Sequence, residues 1–137
     1  MNYLPQSETS FSVEELRDAS PLTLSFVGDS VHTLYVRSKK FPEGRYKSSV
    51  MHSLSSKEVC AENQADLAAK MEPLLNETER YVFQKARSAK SHAAPAHATT
   101  YQYNFATAFE AVVGFLYLSG QNERLEQLMD QVYGVKL

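Results

Sequence analysis

The chain has 137 residues, of which 43% are hydrophobic and 22% charged, and its formal net charge is −2. A chain of this length and apolar content can close one hydrophobic core without covalent staples. Its single cysteine, Cys60, excludes an internal disulfide and a cysteine-rich zinc site, and is typical of a reducing cytoplasm. We therefore predict one cytoplasmic domain over residues 1–137, with residues 1–11 loosely ordered.

Membrane and secretory segments are not expected. The longest apolar stretch, residues 111–118, is far shorter than the roughly 20 residues that span a bilayer. The N-terminus has neither a basic head nor an apolar run, so no secretory signal is predicted. We expect a soluble protein with no membrane partner.

Charge is unevenly distributed along the chain. Residues 1–29 carry five acidic residues and one arginine, whereas residues 30–57 carry six basic residues and one glutamate. Residues 80–109 carry four basic residues and no acidic residue. Two basic stretches in an acidic protein indicate a polyanion site, although solvated helix faces would give the same pattern.

The N-terminal half shows two helix starts. Ser12 followed by Glu15 is a capping box, which predicts a short first helix. Ser20-Pro21 predicts the start of a second helix that runs to about Lys40 and stops before Pro42. Apolar residues lie all around this second helix, so we predict that it is central and buried.

The remaining segments also favour helices. Residues 46–70 form a helical region with an unplaced break, and Asn76 caps a helix to about Ser88. Small and polar residues over 88–100 predict a mobile loop. An apolar helix over 102–118 and a last helix capped by Asn122 follow. With no convincing strands, the predicted fold is an all-α bundle around two buried helices. The core candidates in the region 46–70 are Val50, Leu54, Val59, Cys60 and Leu67.

Each predicted central helix carries one carboxylate among apolar residues, Asp29 in the first and Glu110 in the second. Burying an ionised carboxylate without a partner costs several kcal/mol or more, so it normally has a cation or a hydrogen-bond network. Gly28 and Gly114 lie near these carboxylates, and a glycine inside a helix costs about 1 kcal/mol, so a packing reason is expected. We predict that the helices cross there and bring the carboxylates together.

A magnesium site is the interpretation that this carboxylate pair favours. Hard oxygen ligands with most positions left to water suit Mg²⁺ and phosphodiester hydrolysis. A zinc site would need four histidines to converge, and their spacings match no familiar site: His32, His52, His92 and His97. The alternative for Asp29 is a structural acid paired with a lysine or a helix end.

Two segments carry a resemblance to a known family. Residues 24–31 (LSFVGDSV) resemble the signature helix of ribonuclease III domains, and residues 107–114 (TAFEAVVG) resemble their second acidic helix. Residues 87–91 and 101–103 also occur in the expected order. Because the chain ends soon after its last helix, we expect no double-stranded RNA-binding domain. The chain is therefore similar to the Mini-ribonuclease III family, which trims large-subunit ribosomal RNA precursors in bacteria and has plastid relatives.

This resemblance implies roles for individual residues. Asp29 matches the family's catalytic aspartate and Glu110 its metal-binding glutamate. Ser25 and Thr107 stand where full-length ribonuclease III has acidic residues, which puts a stable two-metal site in doubt. Phe26 matches an aromatic residue that docks into the partner subunit of a homodimer; otherwise it is an ordinary core residue.

The implied activity is magnesium-assisted hydrolysis of double-stranded RNA by a symmetric homodimer with two sites along one valley. Because the major groove of A-form RNA is deep and narrow, side chains cannot reach the base edges there. Recognition should therefore use phosphates, 2′-hydroxyls and helix shape. A ribosomal protein that presents the RNA is a further expected partner. The first candidates for phosphate contacts are Lys85, Arg87 and Lys90, and the second candidates are Arg37 and Lys47.

Two other functions remain open from the sequence. A non-catalytic RNA-binding module with this fold would tolerate loss of Asp29 or Glu110, and both are retained. A helical interaction domain without a nucleic-acid partner would leave the two basic stretches unexplained.

Overall fold

The computed structural model describes residues 11–89 and 99–134, and this part of the chain is helical without strands. The all-α prediction is confirmed. The predicted loose N-terminus lies outside the described residues except for Phe11, whose backbone N–H donates to the Leu118 carbonyl at 3.3 Å. The helices are α1 (Val13–Arg17), α2 (Pro21–Gly44), α3 (Ser48–Val59), α4 (Ala61–Met71), α5 (Glu77–Arg87), α6 (Thr100–Leu118) and α7 (Asn122–Val132).

Side-chain caps fix the starts of α1, α5 and α6. The Ser12 hydroxyl accepts from the Glu15 backbone N–H at the start of α1, and Asn76 forms a reciprocal capping box with Glu79 on α5. Both predicted caps are confirmed. Thr99 forms an unpredicted capping box, so α6 begins at Thr100, earlier than the expected residue 102. The last helix is capped by Gln121, one residue before the predicted cap.

The end of α2 and the break in the region 46–70 differ from expectation. Helix α2 continues through Pro42 to Gly44, because a proline near a helix end removes only one backbone bond. Gly44 packs closely on α3, where a Cβ would lie 2.8 Å from the Met51 sulfur. The chain becomes extended at Cys60, with φ −70° and ψ 156°, and this residue separates α3 from α4.

Only part of the predicted core of α3 and α4 is confirmed. Leu67 is buried, whereas Leu54 and Val59 are half-buried. Val50 and Cys60 are exposed, so their assignment to the core is wrong. Helix α3 packs mainly on α2 at one side of the bundle, which leaves much of its surface in solvent.

The two predicted central helices are not equally buried. Every residue of α6 from Phe105 to Leu116 is buried except Glu110, since α2, α4 and α5 all pack on this helix. Helix α2 buries Leu24 and Val31 on the side that meets α6, but its opposite side exposes Leu22 and Phe26. The prediction that α2 is buried all round is therefore wrong. None of the helices within 11–89 and 99–134 combines the length and apolar content needed to span a bilayer.

Candidate active site

Two glycines set the crossing of α2 and α6. A Cβ built on Gly28 would overlap the Glu110 carbonyl oxygen, and one built on Gly114 would overlap the Leu24 carbonyl oxygen. The only side chain that this backbone approach tolerates at either position is a hydrogen atom. The predicted crossing is confirmed, and it places Asp29 and Glu110 next to each other.

Asp29 and Glu110 share a hydrogen bond across this crossing, although they differ in exposure. Glu110 is half-buried, whereas Asp29 is exposed. The prediction that Asp29 is a buried carboxylate is wrong, because it lies on the solvent side of α2 with Phe26, away from the core side that holds Leu24. The pair therefore lies at an edge of the bundle that solvent can reach.

The Glu110 carboxyl is held by hydrogen bonds from two other helices. The Ser25 hydroxyl of α2 donates to its Oε1 at 3.2 Å, and the Gln64 amide of α4 donates to its Oε2 at 3.3 Å. Burial, followed by the hydrogen bond and the charge of Asp29, raises the pKa of Glu110 to about 9, against the lowering effect of these two donors. Without a cation, Glu110 therefore holds a proton at neutral pH.

Ser25 and Thr107, which stand where full-length ribonuclease III has acidic residues, have different surroundings. Ser25 is buried and donates to Glu110, so it supports the carboxylate that it stands beside. The Thr107 hydroxyl donates instead to the Tyr103 carbonyl of its own helix at 2.9 Å. Of these two residues, Ser25 is thus the one that is hydrogen-bonded to Glu110.

Three residues that the sequence analysis did not assign to the site extend it into the core. Gln64 bridges Glu110 and the buried His32, and His32 contacts the Tyr133 hydroxyl at 2.7 Å. Gln64 lies on the apolar face of α4 with Leu67, Ala68 and Met71, which are all buried. A single polar residue in such a stripe is the sequence signal that could have identified it.

Metal-ligating side chains are few in the described part of the chain. Residues 11–89 and 99–134 contain no group of three or more His, Cys, Asp or Glu side chains that could hold a metal ion. His32 is fully buried and His52 is exposed, while His92 and His97 lie outside the described residues. Asp29 and Glu110 are the available pair of carboxylates, and any ion that they hold takes its other ligands from water or substrate.

The predicted phosphate contacts within the described residues lie on α5, on α2 and just before α3. Lys85 and Arg87 lie on α5, where the Lys85 ammonium donates to the Arg17 carbonyl at 3.2 Å and Arg87 pairs with Glu72 at 3.8 Å. Arg37, on α2, and Lys47, just before α3, are exposed. Lys90 lies outside the described residues.

Phe26 is the predicted dimer contact. Its side chain is 78% exposed, so the alternative that it is an ordinary core residue does not hold in this chain. Leu22, one turn earlier on the same side of α2, is 37% exposed. Together they form an apolar stripe beside Asp29.

Comparisons with known proteins agree with this architecture. Residues 22–121 match the Ribonuclease III domain family. A Mini-ribonuclease 3 of Thermoanaerobacter sp. is 34% identical over 130 residues, covering 95% of this chain and 91% of the relative, and one of Symbiobacterium thermophilum is 38% identical over 109 residues, covering 80% and 84%.

A crystal structure of a Fusobacterium nucleatum protein superposes with a TM-score of 0.77 at 28% identity, covering 85% of this chain and 94% of that protein. The helical bundle, the matched domain and these relatives have one common explanation. The chain belongs to the Mini-ribonuclease 3 family of ribonuclease III-type endoribonucleases.

Proposed function

We propose that this protein cleaves double-stranded RNA with a divalent metal ion, Mg²⁺ in the cell, bound by Asp29 and Glu110. The observation that carries the proposal is the carboxylate pair at the crossing of α2 and α6. Burial and the neighbouring Asp29 raise the pKa of Glu110, so a negative charge on Glu110 is unfavourable without a cation. A cation would replace the Glu110 proton and offset this cost.

The residues fit a hard divalent cation. Carboxylate oxygens are the protein ligands that Mg²⁺ prefers, and it keeps several waters when only one or two carboxylates bind it. When bound, such an ion lowers the pKa of a coordinated water and stabilises charge on phosphoryl oxygens. Asp29 is open to solvent and can meet an RNA backbone, whereas Glu110 is anchored in the core by Ser25 and Gln64.

The proposed substrate is a duplex region of the large-subunit (23S) ribosomal RNA precursor in the bacterial cytoplasm. The relatives reported above are bacterial and are named ribonucleases, which favours a bacterial RNA over the plastid alternative. A ribosomal protein that presents the duplex is part of this proposal. Cells that lack the protein should accumulate 23S precursors with unprocessed ends, which primer extension on their RNA would detect.

A two-fold homodimer is the proposed assembly. The exposed stripe of Leu22 and Phe26 lies beside Asp29, so a second copy seated on it would place two carboxylate pairs near one valley. Phe26→Ala should weaken self-association without unfolding the protein, because the side chain is exposed in the single chain. Light scattering at micromolar concentration tests this, and a parent protein that is only monomeric would contradict the assembly.

Basic side chains should contact the phosphates of the duplex. If Lys85, Arg87 and Lys90 do so, the triple alanine variant should bind a duplex more weakly and with a flatter salt dependence, by up to about one counterion per lost contact. The matched pair Arg37 and Lys47 should be changed in a separate variant. An unchanged salt slope in the first variant would remove these three residues from the interface.

The deciding experiment compares Asp29→Asn and Glu110→Gln with the parent in cleavage of a long RNA duplex, with and without Mg²⁺. Both variants should lose most of their cleavage while folding at least as stably as the parent without metal, since each removes one of two acids that face each other without a cation. Mg²⁺ should raise the melting temperature of the parent more than that of either variant. Asp66→Asn, at an exposed position of α4, is the matched control and should cut like the parent.

The same experiment tests the two alternatives. A parent that binds the duplex but never cuts it would favour the non-catalytic RNA-binding module. An Asp29→Asn variant that melts much earlier than the parent would show that Asp29 is a structural acid.

A further inference from the structure

A chain of hydrogen bonds runs from Glu110 through the core to the far side of the bundle. The Gln64 amide nitrogen is 3.3 Å from Glu110 Oε2 and 3.1 Å from His32 Nδ1. His32 Nε2 is 2.7 Å from the Tyr133 hydroxyl. The chain thus joins α6, α4, α2 and the end of α7.

The chemistry of its members fixes the direction of every bond. The Gln64 amide nitrogen contacts both the Glu110 carboxylate and His32 Nδ1, and an amide nitrogen can only donate. His32 Nδ1 therefore carries no proton and accepts from an amide hydrogen of Gln64, so the ring proton is on Nε2 and is donated to the Tyr133 hydroxyl oxygen. The second amide hydrogen of Gln64 is then left for Glu110.

Burial holds this arrangement in one state. Gln64 is 3% exposed and His32 is fully buried, and no buried side-chain polar atom in the described residues lacks a partner. Burial also lowers the pKa of His32 to about 4 against the charges of Glu58 and Asp29, so the ring is neutral at pH 7. A flipped Gln64 amide would place its oxygen against the Glu110 carboxylate and leave His32 Nδ1 without a donor.

We propose that Gln64 is a positioning residue for Glu110, and that Tyr133 sets the orientation of Gln64 through His32. The proposal rests on the proposed role of Glu110 as a metal ligand. With Gln64 on Oε2 and Ser25 on Oε1, the carboxylate plane is fixed from two sides, and each oxygen keeps a lone pair for a cation. Groups that orient a metal ligand in this way typically change metal affinity or activity about 10–100-fold when removed.

The first test replaces the amide by a side chain of similar length without hydrogen-bonding donors. Gln64→Met should raise the Mg²⁺ concentration for half-maximal duplex cleavage by about 10–100-fold, with recovery of the rate at saturating Mg²⁺. The melting temperature should also rise less on addition of Mg²⁺ than it does in the parent. Gln84→Met, at an exposed position of α5, is the control and should leave both measurements unchanged.

The second test acts from a distance and leaves Glu110 and Gln64 intact. In Tyr133→Phe, His32 Nε2–H loses its acceptor, so the ring can move its proton to Nδ1 and turn the Gln64 amide oxygen towards Glu110. This variant should need several-fold more Mg²⁺ than the parent, a smaller change than in Gln64→Met. Tyr81→Phe, at an exposed position of α5, makes the same chemical change without touching the chain and should behave like the parent.

The outcomes separate this proposal from the proposed function. If Glu110→Gln abolishes the Mg²⁺ response but Gln64→Met and Tyr133→Phe keep the parent's Mg²⁺ dependence, the positioning role is wrong and the metal site stands. If Glu110→Gln keeps the parent's Mg²⁺ response, the metal site itself is wrong. A lower melting temperature with unchanged Mg²⁺ dependence would show that Gln64 and Tyr133 only stabilise the fold.

Discussion

Glu79 and Glu110 are two glutamates of the same bundle with opposite partners. Glu79 is 1% exposed, and both of its oxygens accept hydrogen bonds from the Arg124 guanidinium at 2.9 Å. Although burial alone would raise the pKa of Glu79, the bonds from Arg124 and from the Asn76 backbone hold it below its usual range. Glu110 instead faces Asp29, and its pKa is raised to about 9.

This difference separates a structural carboxylate from the one that we propose binds a metal ion. The Glu79 site is complete, since Arg124 also donates to the Leu74 carbonyl and ties α7 to the turn before α5. The Glu110 site has two acids and two neutral donors, so its charge is balanced only by a proton or a cation. Perturbed carboxylates that lack a protein cation are characteristic of functional sites.

The largest expected effect on stability is at the Glu79–Arg124 ion pair. Arg124→Met should lower the free energy of unfolding by about 3–5 kcal/mol, because it leaves Glu79 buried without its partner. Urea unfolding measures this. The double change Glu79→Gln with Arg124→Met should recover part of the loss, and its Mg²⁺ response should equal that of the parent. A single variant as stable as the parent would contradict the structural role of the pair.

A substitution at the helix crossing should have a smaller effect on the free energy of unfolding and should also disturb the Glu110 site. Gly28→Ala forces a methyl group onto the Glu110 carbonyl, and overpacking of this kind typically costs about 1–3 kcal/mol. Separation of α2 from α6 should also reduce cleavage below what the folded fraction predicts. Ser30→Ala, two residues along α2 at an exposed position, is the control and should change neither quantity. Full activity in Gly28→Ala would mean that the site tolerates a wider crossing.

Per pH unit, the smallest expected effect is a change in the pH dependence of stability, measured in the presence of a chelator. Because the pKa of Glu110 is raised from 4.5 to about 9 on folding, its contribution is complete below pH 4.5 and is lost as pH rises towards 9. The slope is at most about 1.4 kcal/mol per pH unit. Glu79 has a lowered pKa, so its contribution is present above its usual pKa and is lost only as pH falls through the lower folded value.

Urea unfolding between pH 5 and 9 resolves the Glu110 contribution. The parent should lose stability across this range, and Glu110→Gln should have a flatter profile. Glu79→Gln should keep the downward slope of the parent, since Glu79 is ionised throughout this range. Equal slopes in the parent and in Glu110→Gln would show that folding does not raise the pKa of Glu110.

Local sequence determined the helices and the identity of the site pair. The helix caps at Ser12 and Asn76 were predictable because each depends only on residues three positions apart. The glycines beside Asp29 and Glu110 were also informative, because a mid-helix glycine requires a close neighbour. The assignment of Asp29 and Glu110 to catalysis itself came from the resemblance of two segments to a known family.

Only the tertiary structure decided which faces are buried and which polar groups meet. The sequence suggested a fully buried α2, but α6 covers one side of it, so Asp29 and Phe26 remain in solvent. Gln64 reaches Glu110 across 46 positions of sequence, and His32 reaches Tyr133 across 101. Helical periodicity gives the face on which a residue lies, but the neighbour of that face depends on how the helices pack.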